Sequence, residues 1–300
     1  MTIFRGQEYS HAALSHCMLA LFLNGVSRLS RFARTNLFFV PIAVLWLALT
    51  PAGMRWLGIF CLLTLYVGVF TLGVAWPGLS FFGPAVCRGR AMEAGPPRVA
   101  LTFDDGPDPL TTPLLLDELA RLGVKAAFFL VGERVRAHPD IARAIVEQGH
   151  LVGNHSWKHH WTQNFLTGGP LETELSNTQT IIAQAAGAQP AFYRPPVGLT
   201  NPHLFPVLKK LGLRLVAWDV RTFDRQSSPE RVVKRVMDKA ADGSIVLLHD
   251  QGVDSRDLAQ IVRGVLEGLD KRGFALARLD EILSSAAAPP TASRGGEPDV

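Results

Sequence analysis

Two long stretches without a charged residue lie in the first quarter of the chain and constrain its fold more than any other feature. Leu57–Trp76 contains 20 uncharged residues, the length that a helix needs to cross the hydrocarbon core of a bilayer. Leu37–Met54 is a second such stretch, and its two prolines are tolerated in membrane helices. We therefore expect two transmembrane helices within residues 36–76, forming a hairpin that turns near Pro51–Arg55. A pair of buried core helices is the alternative.

Positive charge is concentrated around these two stretches. Residues 1–95 contain seven arginines and two glutamates, with no lysine or aspartate, so this part carries a net charge of +5 and the rest of the chain −1. Arginine commonly flanks membrane spans. The basic pI of 9.1 therefore belongs to the anchor region, and we expect no nucleic-acid partner.

The number of membrane crossings decides which side the remaining chain occupies. Residues 1–35 form a basic segment in which His11–Ser27 has a seven-residue apolar core; this pattern favours an interfacial helix over a third span. With two spans, the arginine distribution places both chain ends in the cytoplasm. We expect a multi-pass inner-membrane protein whose large domain faces the cytoplasm, whereas a third span would place that domain outside.

Short apolar strands alternate with amphipathic helices in residues 97–284, after a Gly/Pro-rich linker at 77–96. The small and polar residues at 285–300 predict a disordered tail. Strand–helix alternation of this length is typical of an α/β domain with a mostly parallel sheet or barrel. In such folds the functional site gathers at the carboxyl ends of the strands. The predicted strands are Val99–Phe103, Ala126–Val131, Leu151–Asn154, Ala191–Arg194, Arg214–Asp219, Ile245–His249 and Phe274–Ala277.

Acidic and imidazole side chains follow the first and third predicted strands. The first strand ends in Asp104 and Asp105; adjacent side chains diverge, so one carboxylate can bind a metal while its neighbour faces a water. After the third strand, His155 and His159 are four residues apart, and on one face of a helical turn they can share one metal ion. His160 is the alternative ligand, although its i+5 spacing turns it off that face.

Three later strands end in further polar residues. Arg194 precedes two prolines that stiffen the backbone, and its guanidinium can hold a carboxylate ionised. Asp219 ends the fifth predicted strand and Asp224 follows it, and His249 ends a fully apolar strand. Each feature taken singly has a structural explanation. Taken in order, five strand ends present Asp-Asp, His-His, Arg, Asp and His.

These motifs resemble those of the polysaccharide deacetylase family with its NodB-homology domain. The order TFDDGP, HSWKH, RPPVG, a segment from Trp218 to Asp224, and LLHD carries the resemblance, which extends over about residues 97–284. It implies a polysaccharide deacetylase domain with a distorted, incomplete (β/α) barrel, here preceded by the transmembrane helical hairpin.

The resemblance also implies roles for individual residues, together with a divalent metal. Zinc is the first expectation, and iron, cobalt or nickel also suit one Asp and two His ligands. The implied metal ligands are Asp105, His155 and His159. The implied catalytic residues are Asp104 as base, Arg194 orienting it, His249 as general acid and Asp224 as partner of His249. Leu247 is expected to line the acetyl pocket, and Pro195 and Trp218 to contact substrate.

The chain departs from the family pattern in two motifs. Arg221 stands at the first acidic position of the fourth motif, and Arg225 replaces the tryptophan that usually follows Asp224. In the second motif, His160 follows the last histidine, where proline is usual. These changes bear on the Asp224–His249 partnership and on the shape of the substrate groove.

The expected function is metal-dependent hydrolysis of the N-acetyl amide of an amino sugar in a polysaccharide or glycolipid, with release of acetate. One alternative is a deacylase or deformylase of a lipid-linked amino sugar at the cytoplasmic face of the membrane. A second is a membrane-tethered, glycan-binding pseudoenzyme, which only Arg221 invites.

Overall fold

The structure is a computed structural model that describes residues 29–91 and 95–284. The chain divides into two compact units, Met1–Gly83 and Pro84–Val300. The interfacial helix predicted at His11–Ser27 and the disordered tail predicted at 285–300 lie outside the described residues.

The first unit contains two long apolar helices, α1 (Arg31–Leu49) and α2 (Ala52–Ala75). Both are long and apolar enough to cross a membrane. None of the α1 side chains is buried, and in α2 only Gly73 is, which disfavours the alternative of two core helices of a water-soluble domain. The helices meet at Thr50–Pro51, at the start of the predicted turn region, because Thr50 is extended and Pro51 is the N-cap residue of the second helix.

One polar pair joins the two helices. The Tyr66 hydroxyl donates to Asn36 Oδ1 over 2.8 Å. Phe39 packs edge-on against the same tyrosine, with ring centroids 5.4 Å apart. A hydrogen bond between facing helices satisfies polar groups that would be costly to expose to hydrocarbon. The hairpin is therefore chemically consistent with a lipid environment.

The second unit is built on one parallel eight-stranded sheet in the order β5-β4-β3-β2-β1-β7-β6, with β8 pairing to β1. The strands are β1 (Arg98–Asp104), β2 (Ala127–Leu130), β3 (Leu151–Asn154), β4 (Phe192–Tyr193), β5 (Arg214–Leu215), β6 (Val220–Arg221), β7 (Ser244–His249) and β8 (Ala275–Leu276). The helices are α3 (Thr112–Arg121), α4 (Gly132–Ala137), α5 (Pro139–Glu147), α6 (Gly168–Ala186), α7 (Leu204–Lys210), α8 (Pro229–Lys239), α9 (Ser255–Lys271) and α10 (Leu279–Ser284).

The prediction of one strand at Arg214–Asp219 is wrong, because this region begins with β5 and leads into a separate strand, β6. The chain pairs at one edge of the sheet as β5 and then at the opposite edge as β6. Between them, Val216 N donates to Tyr193 O over 2.9 Å, and Asp219 N donates to Ile245 O over 3.3 Å. This segment therefore bridges the two sheet edges, and the curled sheet matches the predicted incomplete (β/α) barrel.

Alternation along β1 separates the outer core from the functional interior. Val99, Leu101 and Phe103 pack in the large cluster that includes the helices, whereas Ala100 packs in a smaller cluster with residues of β2 and β7. Thr102 continues the Ala100 face of the strand, as does the last residue of β1. The central strand thus delivers polar side chains to the interior at its carboxyl end.

Candidate active site

The two adjacent aspartates at the end of β1 contact different partners. Asp105 has a left-handed backbone with φ of 76°, which turns its side chain away from that of Asp104. Asp104 Oδ1 lies 2.6 Å from the guanidinium of Arg194. Asp105 Oδ1 lies 3.2 Å from His155 Nε2 and 3.0 Å from His159 Nε2. The two neighbouring carboxylates therefore diverge, as the sequence analysis predicts.

Arg194 is fully buried and held on several sides. Its Nη1 donates to Thr102 and Asp104, and its Nε and Nη2 donate to the carbonyl oxygens of Val216 and Ala217 over 3.1 and 3.0 Å. Burial lowers the pKa of Arg194, while the ion pair with Asp104 opposes that shift; an arginine keeps its charge in either case. The guanidinium therefore fixes one oxygen of Asp104.

The ligand atoms of Asp105, His155 and His159 lie within 4.8 Å of one another. His155 Nδ1 is 2.7 Å from the carbonyl oxygen of Arg194, so Nδ1 donates and, in the neutral imidazole that binds a metal, Nε2 carries the lone pair. Asp105 Oδ1 is buried and has no hydrogen-bond partner. An orphaned carboxylate oxygen beside an imidazole lone pair is unfavourable without a cation. One oxygen and two nitrogen donors suit zinc and its neighbours in the first transition row.

The charge states in this cluster reinforce its fit to a cation. Burial works to raise the pKa of Asp105, but the two imidazoles outweigh it and hold that pKa below its usual range. Burial works to lower the pKa of His155, but Asp104 and Asp105 outweigh it and the pKa is raised. The Asp105 carboxylate is therefore held ionised, and a cation at His155 Nε2 would take the place of the proton that the two carboxylates favour there.

The helical turn predicted for His155 and His159 is wrong. Residues 155–160 form a loop in which Ser156 and His159 have φ of 69° and 54°. Asn154 Oδ1 accepts from Ser156 N, and Ser156 Oγ accepts from His159 N, both over 3.0 Å. Short polar side chains compete with helix by bonding nearby backbone groups, and here they bring the two imidazoles together.

His160, the alternative ligand, lies outside the cluster. It is exposed, its Nδ1 lies 2.6 Å from Thr162 Oγ1, and its ring stacks on Trp161 with centroids 6.0 Å apart. The structure thus separates His160 from the three groups whose ligand atoms converge.

His249 and Asp224 form a pair across the carboxyl end of β7. His249 Nδ1 lies 2.8 Å from Asp224 Oδ1, and the backbone N–H of His249 donates to Asp224 Oδ2 over 2.7 Å. Thr222 Oγ1 lies 3.2 Å from Asp224 Oδ1. Asp224 is buried, whereas the His249 side chain is 20% exposed. The Asp224–His249 pair is therefore present, although Arg221 and Arg225 replace the residues that the family pattern has on either side of Asp224.

Arg225 is a site residue to which the sequence analysis gave no role. Its Nη2 forms an ion pair with Asp105 Oδ2, and its Nε donates to the Gln251 carbonyl oxygen over 2.9 Å. The guanidinium therefore covers the carboxylate oxygen that does not face the histidines. The replacement of tryptophan by arginine was the available signal, but the sequence did not reveal the contact.

The three residues expected to contact substrate differ in exposure. Leu247 is buried on the strand that ends in His249, and Pro195 is buried behind Arg194. Trp218 is half-buried, with Arg194 Cζ 5.7 Å from its ring centroid. A Cβ on Gly198 would overlap Trp218, so this glycine permits the ring to lie against the turn after Arg194.

Asp250 was also missed by the sequence analysis. It is fully buried, its Oδ2 accepts from Thr112 Oγ1 over 2.6 Å, and its Oδ1 has no hydrogen-bond partner. Burial raises the pKa of Asp250 to about 7. Asp250 is the last residue of the LLHD motif and directly follows His249. Its position in the motif was therefore visible, but a sequence does not show how deeply a carboxylate is buried.

Comparisons with known proteins identify the family. The family model described as polysaccharide deacetylase matches residues 91–216. A peptidoglycan-N-acetylglucosamine deacetylase of Bacillus cereus is 33% identical over 188 residues, which are 62% of this chain and 87% of the relative. Several other curated relatives are longer, and the aligned region spans 38% of their length.

Solved structures share the fold. A family 4 carbohydrate esterase from Streptomyces lividans in complex with acetate is 34% identical with a TM-score of 0.57, covering 61% of this chain and 93% of that one. A CE4 family pseudoenzyme from Bacillus anthracis is 26% identical with a TM-score of 0.61, covering 67% and 69%. Together with the sequence matches, these show that the chain belongs to the polysaccharide deacetylase family, whose enzymes hydrolyse the carbon–nitrogen bond of N-acetylated amino sugars.

Proposed function

We propose that this chain is a metal-dependent deacetylase that hydrolyses the N-acetyl amide of an amino sugar in a glycan or glycolipid. The observation that carries the proposal is the convergence of one carboxylate oxygen and two imidazole nitrogens from Asp105, His155 and His159, directly beside Asp104. Three protein donors leave room for water or substrate in a catalytic metal site.

Asp105, His155 and His159 would hold the cation, with zinc the first candidate and iron, cobalt or nickel also compatible. Such an ion, when bound, acts as a Lewis acid on the acetamide carbonyl and lowers the pKa of water. The backbone carbonyl of Arg194 keeps the proton of His155 on Nδ1. This second contact orients the ring toward the cation.

Asp104 acts as the general base. Its Oδ1 is held by Arg194, while its Oδ2 lies 3.7 Å from His155 Nε2, on the side of the metal cluster. That oxygen takes the proton of the attacking water. A positioned proton acceptor contributes about 10²- to 10⁴-fold in rate.

His249 acts as the general acid. Asp224 Oδ1 accepts from His249 Nδ1, which leaves Nε2 as the atom that delivers a proton to the departing amine. The same contact fixes the orientation of the imidazole ring for this step. The amine then leaves as the free amino sugar, and acetate is the second product.

The test is acetate release by the full chain in detergent, across neutral and acidic N-acetylated oligosaccharides and lipid-linked amino sugars, with and without chelator. Activity that chelator removes and added zinc restores is the expected result. Stoichiometric metal binding with no acetate from any substrate would refute the proposal and favour the glycan-binding pseudoenzyme.

We also propose that α1 and α2 anchor the enzyme in the inner membrane with the catalytic domain in the cytoplasm. The length of both helices and the arginines that flank them support this orientation. It favours a lipid-linked amino sugar as the deacylated or deacetylated substrate, since such a sugar is exposed at that face. The test fuses two reporters to the C-terminus, one that is active only in the cytoplasm and one that is active only after export. We expect activity from the cytoplasmic reporter. Activity from the exported reporter would show the opposite orientation.

A further inference from the structure

Arginine side chains and aromatic rings alternate from the base of the candidate site toward the surface. Arg194 Cζ lies 5.7 Å from the centroid of the Trp218 ring. Arg221 Cζ lies 6.0 Å from that ring and 4.8 Å from the ring of Phe223. Arg235 Cζ lies 5.1 Å from Phe223. Guanidinium groups within about 6 Å of an aromatic centroid are held there by cation–π attraction.

The two outer arginines of this series lack acidic partners in the described part of the chain. Arg194 is paired with Asp104, but neither Arg221 nor Arg235 has an Asp or Glu oxygen within 4.0 Å among residues 29–91 and 95–284. Arg235 donates instead to the carbonyl oxygen of Thr222 and lies 3.4 Å from a serine hydroxyl. The Arg221 side chain is exposed and makes no hydrogen bond to residues 29–91 or 95–284. Its charge is therefore available to a ligand.

Arg221 lies next to the reacting groups. It ends β6 and is in register with Leu247, two residues before His249 on the neighbouring strand. Its guanidinium and that of Arg194, which holds the base, both lie within 6.0 Å of the Trp218 ring centroid. A cation in this position can contact a substrate whose amide occupies the metal cluster.

The ring on the outer side of Arg221 is held by an uncommon backbone. Phe223 is 41% exposed and has φ of 56°. Large residues rarely adopt this left-handed conformation, and such positions concentrate in binding sites. Phe223 thereby stands between Arg221 and Arg235 rather than in the apolar core. The arrangement holds an exposed guanidinium in place beside the strand that ends in His249.

We propose that Arg221 binds an anionic group, a phosphate or a carboxylate, carried by the amino-sugar substrate. The inference rests on the proposed deacetylase function and names its substrate class as acidic amino sugars. A planar guanidinium donates two parallel hydrogen bonds to either anion. An acidic residue, which the family pattern has at this position, would repel the same ligand. Arg235 adds a second uncompensated cation that attracts anions.

The first test compares acetate release from N-acetylglucosamine, its 1-phosphate and N-acetylmuramic acid. We expect the metal-loaded full chain to prefer an acidic sugar, and Arg221→Gln to lower kcat/KM for that sugar about tenfold, mainly through KM, with little change for the neutral sugar. Arg221→Lys should be intermediate, because it keeps the charge and loses the planar fork. Arg214→Gln is the matched control, since Arg214 is an exposed arginine at the amino end of β5.

The second test measures binding of the same three sugars to the metal-free full chain by calorimetry. If the native chain binds an acidic sugar more tightly than the neutral one, and Arg221→Gln abolishes this difference, the inference is supported. If no acetate is released in the same experiments, only the proposed function fails. Preference for the phosphate indicates a phosphate-linked sugar, and preference for N-acetylmuramic acid indicates a carboxylate. Equal binding of neutral and acidic sugars by the native chain, or equal losses for both in Arg221→Gln, overturns the inference.

Discussion

The two sides of the candidate site differ in burial and in their match to the family pattern. On the base side, Asp104 and Arg194 are buried and follow the pattern, and backbone carbonyl groups hold the guanidinium. On the acid side, Asp224 is buried but His249 is partly exposed, and two of the three departures from the pattern, Arg221 and Arg225, lie in the same motif as Asp224. The proton-handling groups are kept on both sides, and the acid side carries the changes that place new positive charge beside them.

The base side should give the largest effect. Asp104→Asn keeps the shape of the side chain but cannot accept the water proton, so turnover should fall by about 10³-fold or more. Bound zinc, measured by atomic absorption, should stay near the native level because Asp105 and both histidines are intact. Asp105→Asn is the paired variant and should lose metal. Loss of metal in Asp104→Asn would move Asp104 into the coordination shell and contradict the assignment.

Variants on the acid side and on the base side should respond differently when the leaving group of the substrate changes. His249→Ala should slow acetate release from an acetamide by about 10²-fold. It should slow p-nitrophenyl acetate hydrolysis far less, because that leaving group departs without a proton. Asp104→Asn should lose both activities. Equal losses on both substrates in His249→Ala would argue that the histidine acts in an earlier step.

Substitution of Arg225 tests whether a residue on the acid side of the site affects metal binding. Its ion pair fixes Asp105 Oδ2, so Arg225→Ala should weaken zinc binding about tenfold, as removal of groups that orient metal ligands does. Competition with a chromogenic chelator measures this without turnover. Arg256→Ala is the control, an exposed arginine in the first turn of α9. Tighter zinc binding in Arg225→Ala would show instead that the guanidinium competes with the cation.

Asp250 should have the smallest effect on activity, and its role is detected instead through the pH-dependent stability of the metal-free protein. Its pKa rises from 3.8 to about 7 on burial, so the folded state binds the extra proton between these values. Its contribution to stability is complete below pH 4 and is lost as pH rises through 7, by about 4 kcal/mol at most. Asp250→Asn mimics the protonated carboxyl and should lack this decline in urea denaturation from pH 5 to 8. A decline equal to that of the native protein would contradict the shift.

Most strand positions followed from the sequence, since short apolar runs bounded by Gly and polar residues fix where buried parallel strands lie. Strand β3 was predicted with its bounds, Leu151–Asn154, and β1 and β7 within one residue. Arg214–Asp219 failed because a local apolar run does not reveal that its two ends pair with opposite edges of the sheet.

The sequence by itself determined the strand–helix alternation, the two apolar helices and the order of Asp, His and Arg residues at strand ends, because these depend on local composition and spacing. Only the tertiary structure decided which atoms converge. The loop that brings His155 to His159, the ion pair of Arg225 with Asp105 and the stacking of Arg221 between two rings join residues through contacts that spacing does not encode. Long-range contacts of this kind depend on how the sheet curls, and the curl follows from the pairing of strands distant in sequence.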